Sequence, residues 1–152
     1  MKIRIEITDN SEDEIIIRTS ELSDTVKRIE KAVKEITAGS STMAFYKDGT
    51  KYYLELRNIL FFETSENGVC AHTAKECYGT EFKLYELEEI LPSYFMRVSK
   101  STILNTEMVY SISRNITASS LVEFQNTYKK VYVSRNYYKA LIFKIEEKRL
   151  SK

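Results

Sequence analysis

Cysteine is scarce in this sequence: Cys70 and Cys77 are the only two among 152 residues. Two thiols cannot build a disulfide scaffold, and such sparing use fits a reducing compartment. Histidine is scarcer still, with His72 alone, and no Ser-His-Asp or Cys-His arrangement stands out around it. His72 and the two cysteines offer three soft ligands, but the fourth is missing and the spacing matches no zinc pattern, so no metal is expected. Four glycines leave no loop of the kind that cradles a phosphate. The adjacent carboxylates Glu88 and Glu89 point in different directions from a helix and read as a solvated face. No catalytic residue, cofactor or small-molecule substrate is therefore expected. Long apolar runs are missing as well. The start, M-K-I-R-I-E-I-T-D, lacks the apolar core of a signal peptide, and no segment has the length of a membrane span. The expectation is a soluble cytoplasmic protein that is not an enzyme.

What is present is an uneven distribution of charge. The net charge is +1, but residues 1–92 carry 12 Lys+Arg against 18 Asp+Glu, while residues 93–152 carry 11 against 4. The C-terminal part is thus suited to face a polyanion and the N-terminal part is not.

Along the chain the hydrophobic period alternates between that of strands and that of helices. Lys2 to Ile7 alternates, Asn10 to Asp13 is turn chemistry, and Glu14 to Arg18 reads as a return strand. Leu22, Val26, Ile29, Val33 and Ile36 then form one helical stripe, with Ser20 or Ser23 as the cap and Gly39 as the stop. Residues 1–39 are expected to form a β-hairpin followed by an amphipathic helix. From Met43 the period is two. Asp48-Gly49 joins the first hairpin, Asn58 to Ser65 is a third strand, and Asn67-Gly68 turns it into Val69 to Ala74. Cys77 to Leu84 follows. A short helix covers Leu84 to Leu91, and Pro92 stops it. Three more strands (Met108–Arg114, Ser120–Phe124, Tyr128–Val133) lead to a closing basic helix from Arg135 to Lys148. The fold class is mainly β, α+β overall, with a second domain over 43–150.

The stretch Tyr94 to Asn105 is the most informative. Arg97, Ser99, Lys100 and Ser101 fall together between the apolar anchors Phe95, Met96, Val98, Ile103 and Leu104. So many donors cannot stay unpaired inside a core, so the segment reads as an anchored turn presenting donors to phosphates or base edges. Asn67, Arg114-Asn115 and Ser134-Arg135-Asn136 are further polar turns at strand ends. Lys129, Lys130, Lys139 and Lys144 add attraction for a polyanion. Ser134 also reads as an N-cap with Arg135 in the first turn, where a cation opposes the helix dipole.

Four blocks, I-L-F-F-E-T-S at 59–65, F-K-L-Y-E-L-E-E-I-L at 82–91, F-M-R-V-S-K-S-T-I-L-N at 95–105 and V-Y-V-S-R-N-Y-Y-K at 131–139, together resemble the LytTR DNA-binding domain. The resemblance spans about Met43 to Ile145. It implies an elongated domain of about ten strands that reads successive major grooves with loops, bending the duplex. It places a base contact at Lys100, another at Arg135 and a third near Asn67. A histidine common in the family's third block is Ser99 here. Phosphates would be held by Ser101, Ser134 and Lys139. The resemblance also implies a bacterial, response-regulator-like transcription factor acting as a homodimer on direct repeats in double-stranded DNA. The chain lacks the length for a receiver domain, so a small membrane protein is the expected regulatory partner. The competing reading is a protein-interaction adaptor whose eleven tyrosines supply an interface. A binder of single-stranded nucleic acid, stacking bases on aromatic side chains, is the third option.

Overall fold

A computed structural model describes residues 2, 4–6, 15–37 and 41–150. The chain divides into two compact units, residues 1–37 and residues 38–152.

The described residues of the first unit include one helix, α1 (Asp24–Thr37). Ser23 caps it as the sequence suggests: its Oγ accepts a hydrogen bond from the Val26 N–H at 3.3 Å. Val26 is buried, whereas Leu22 and Ile36 at the ends of the stripe are exposed. The expected hairpin ahead of α1 is not seen in the described part. Residues 4–6 and 15–18 form no strand, and the remainder of that hairpin lies outside the described residues. Ile15, Ile16 and Ile17 are exposed, so their side chains find no buried face. A lone two-stranded ribbon without such a face is marginal in water.

The second unit is built on an antiparallel sheet of seven strands. They are β1 (Thr42–Lys47), β2 (Thr50–Glu55), β3 (Phe61–Ser65), β4 (Gly68–His72), β5 (Cys77–Thr80), β6 (Phe95–Arg97) and β7 (Thr102–Asn105). Their spatial order is β2-β1-β5-β4-β3-β7-β6. β1 and β2 join at Asp48-Gly49, where both residues take positive φ (50° and 75°), the conformation that a two-residue hairpin turn demands. Three further strands, β8 (Val109–Ser113), β9 (Ser120–Phe124) and β10 (Lys130–Val133), form a second antiparallel sheet in the order β10-β9-β8.

Two cores lie on opposite faces of the large sheet. One packs Phe45, Phe62, Ala71 and Ile103 against Leu84, Leu87 and Leu91 of the helix α2 (Leu84–Ile90) and the residue after it. The other packs Phe61 and Leu104 against Val122, Phe124, Val131 and Val133 of the small sheet, together with Leu141 of α3 (Arg135–Leu150). Period two explains the split, since Phe61 and Phe62 are neighbours in sequence and face opposite ways. Burying each aromatic ring contributes about 1.5–3 kcal/mol. Among the described residues four polar side chains are buried, those of Thr102, Asn105, Thr106 and Ser120. Asn105 is 1% exposed; its Nδ2 donates to the Ile59 carbonyl at 3.0 Å and its Oδ1 accepts from the Glu107 N–H at 3.0 Å.

Candidate nucleic-acid interface

Strand direction brings the polar turns to one end of the unit. β3 runs out at Ser65, and Ser65 Oγ closes the following turn by donating to the Gly68 carbonyl at 2.9 Å. Gly68 takes φ 113°, a conformation that favours glycine. Asn67 is exposed at this tip. Beside it lies the β6–β7 turn, because the Thr64 N–H donates to the Ser101 carbonyl at 2.9 Å. The entry to α3 adjoins that turn in its own right: the Ser134 N–H donates to the Val98 carbonyl at 2.9 Å. The β8–β9 loop reaches the same end, since Val133 pairs with Ser120 and Ser113 with Leu121. Its Arg114 guanidinium sits 4.9 Å from the Tyr138 ring in the first turn of α3.

Within this end, Lys100 and Ser101 are exposed at the β6–β7 tip and Ser99 is half-buried. Ser99 Oγ accepts from the Ser101 N–H at 3.2 Å, so it shapes the turn. Arg135, Asn136 and Lys139 are exposed on the first turns of α3, and Arg135 and Lys139, four residues apart, share a helix face. The structure therefore brings Asn67, Ser99, Lys100, Ser101, Arg114, Ser134, Arg135, Asn136 and Lys139 to one end. It does not bring Lys130 there. Lys130 opens β10, about 13 Å of strand length from Ser134, and its ammonium is 3.9 Å from Glu123. Lys129 is likewise engaged elsewhere, donating to the Glu76 carbonyl at 2.6 Å.

Three polar side chains that the sequence places in the candidate turns make hydrogen bonds within the protein. Ser134 Oγ donates to the Val98 carbonyl at 3.3 Å, so it ties two loops together instead of capping α3 with its hydroxyl. Asn115 Oδ1 accepts from the Thr117 N–H, the Thr117 hydroxyl and the Ala118 N–H at 3.1, 3.1 and 3.2 Å. It organises the β8–β9 loop. Arg97 donates from Nε to the Ser99 carbonyl at 2.7 Å, from a second nitrogen to the Lys100 carbonyl, and from the third to Glu88 Oε2 at 3.1 Å. The sequence held one signal for this arginine: period two puts it on the face of Phe95, where a cation needs partners.

The cysteine–histidine group lies on β4 and β5. Cys77 Sγ is 3.8 Å from His72 Nε2, and Cys70 Sγ is 3.4 Å from Ser65 Oγ. Burial pushes the Cys77 thiol up to about 11, and the neighbouring Cys70 adds to this. A thiol held protonated is a poor nucleophile. His72 stacks on Phe61 with ring centroids 4.3 Å apart. Burial and then the charge of Lys129 lower it to about 4. Glu63 Oε2 lies 3.7 Å away and favours the charged ring, but that carboxylate is about half exposed and burial prevails. Among the described residues no group of three or more His, Cys, Asp or Glu side chains is placed to hold a metal ion. No described helix is long and apolar enough to cross a membrane.

Comparison with known proteins bears on this geometry. A family model described as the LytTr DNA-binding domain matches residues 49–146. An uncharacterized HTH-type transcriptional regulator of Staphylococcus aureus strain NCTC 8325 is 32% identical over 106 residues, covering 69% of this chain and 71% of that protein. A similarly described protein of strain MRSA252 matches with the same identity and coverage. A solved LytTr DNA-binding domain from Bacillus cereus matches with a TM-score of 0.62 and 19% identity, over 68% of this chain and 98% of that one. At that identity the likeness speaks for the fold, a strand-rich domain with short helices. Among the described residues no two α-helices follow one another without a strand between them.

Proposed function

From the premise that this chain belongs to the LytTR DNA-binding domain family, we propose that it is a sequence-specific transcription regulator that grips duplex DNA with its clustered loop tips. The single observation that supports this reading is the gathering of Lys100 and Arg135 at one end, through the hydrogen bonds of Ser134 to Val98. Two exposed cations on rigid supports suit guanine O6 and N7 in a major groove. Ser101, Asn136 and Lys139 beside them suit phosphates. Arg114 and Asn67 extend the same surface to either side. Two copies on direct repeats would lengthen the site read, and a small membrane protein is the partner proposed to regulate it.

Titration of a random-sequence duplex at two salt concentrations tests the reading. A protein that displaces counterions from phosphates loses affinity steeply as salt rises, whereas a protein-interaction adaptor shows no such slope. Competition by single-stranded DNA of the same sequence addresses the third option. Preference for the single strand would overturn duplex recognition.

A further inference from the structure

We infer that Arg97 is a positioning residue for DNA recognition: it sets the direction in which Lys100 points while making no contact with DNA itself. This rests on the proposed role of Lys100 at a base edge. Arg97 ends in a guanidinium. Its five N–H groups lie in one rigid plane, and in this structure all three nitrogens are engaged. Nε donates to the Ser99 carbonyl at 2.7 Å and Nη2 to the Lys100 carbonyl, two consecutive carbonyls of the turn. Nη1 reaches Glu88 Oε2 at 3.1 Å, on the outer side of α2. The side chain is 21% exposed, so it lies largely beneath the turn.

Two consecutive carbonyls drawn to one plane fix both peptide groups that flank Lys100. The Cα–Cβ vector of Lys100 is then fixed too, with Ser101 N–H to Ser99 Oγ at 3.2 Å completing the turn. Glu88 anchors the guanidinium to α2, which is itself packed by Leu84 and Leu87 into the first core. A base contact must be held within about half an ångström to be read, and a lysine on a loose turn cannot meet that requirement. Lysine in place of Arg97 would keep the charge, but one ammonium cannot reproduce the planar fork.

The test uses the full chain and two probes: a duplex selected from random sequence by the native protein, and a random-sequence duplex of equal length. Arg97→Lys should weaken the selected duplex about tenfold, within the range of one lost base contact. It should leave the random duplex and the salt slope unchanged. Glu88→Gln should shift the ratio in the same direction by less, and serves if Arg97→Lys fails to fold. In a Lys100→Ala background, Arg97→Lys should cost no further preference. Equal weakening of both duplexes would show Arg97 on a phosphate and overturn the inference. Additive losses in the double variant would also overturn it. Should Lys100→Ala alone leave the preference intact, the role of Lys100 falls first, a failure separable from that of Arg97.

Discussion

Ser134 and Val98 lie 36 residues apart, and both the N–H and the hydroxyl of Ser134 donate to the single carbonyl oxygen of Val98, at 2.9 and 3.3 Å. That junction joins the β6–β7 turn to the start of α3, and so fixes Lys100 relative to Arg135. Ser134→Ala removes one of the two donors and should cost about 0.5–1.5 kcal/mol. Urea denaturation would measure it. A larger effect on selected than on random duplex is expected as well, because the two cations lose their fixed spacing.

Arg135 is exposed on the first turn of α3, where its charge opposes the helix dipole. A base contact gives that placement a purpose. Arg135→Ala should cost about 1–3 kcal/mol at one base step and flatten the preference there. Titration against single-base variants of the selected duplex would show this. Uniform weakening across all variants would assign Arg135 to a phosphate.

Lys139 and Lys130 form a matched pair of controls. Both are exposed lysines, but only Lys139 stands at the end where the loops gather. Lys139→Ala should weaken every duplex alike and reduce the salt slope by about 1, whereas Lys130→Ala should change neither. The sequence, read without the register of β10 against β9, expects the same loss from both. A loss at Lys130 alone would move the interface to the far end of the small sheet.

Much of the architecture was legible because short-range chemistry dictates it. Asp48-Gly49 takes the positive φ values its dipeptide suggests, Ser23 caps α1, and β9 occupies Ser120 to Phe124 as its pattern indicates. The Ile15–Ile17 run forms no strand and stays exposed, because an apolar run states only that side chains are available for burial, not that anything covers them. The site was legible as a set of polar turns and not as a geometry. Nothing local in the sequence says that Val98 meets Ser134, that Arg114 lies over Tyr138, or that the donors of Arg97 are spent on its own turn and on Glu88. These depend on how strands pair across tens of residues.

Asn105 is buried with its amide satisfied, held by the Ile59 carbonyl and the Glu107 N–H. Asn105→Ala should strand that buried carbonyl and cost about 1–3 kcal/mol. Thermal or urea unfolding would register it, and a change near zero would mean that water replaces the amide.

His72 makes stability depend on pH. Its folded pKa is lowered to about 4, below the ordinary value of about 6.5 in an unfolded chain. Above about pH 6.5 the ring is neutral in both states and contributes no slope. As pH falls from there toward about 4, the unfolded state takes up a proton that the folded state refuses, and stability declines. His72→Gln should therefore lose less stability than the native protein across that window. Parallel curves for the two proteins would show that His72 is not the group responsible.

The most direct test of loop-tip recognition is the ratio of affinities for selected and random duplex in the double variant Lys100→Ala/Arg135→Ala. If the clustered tips read bases, that ratio falls toward one while the protein stays folded and still binds random duplex through its remaining cations. A ratio equal to that of the native protein would contradict the account.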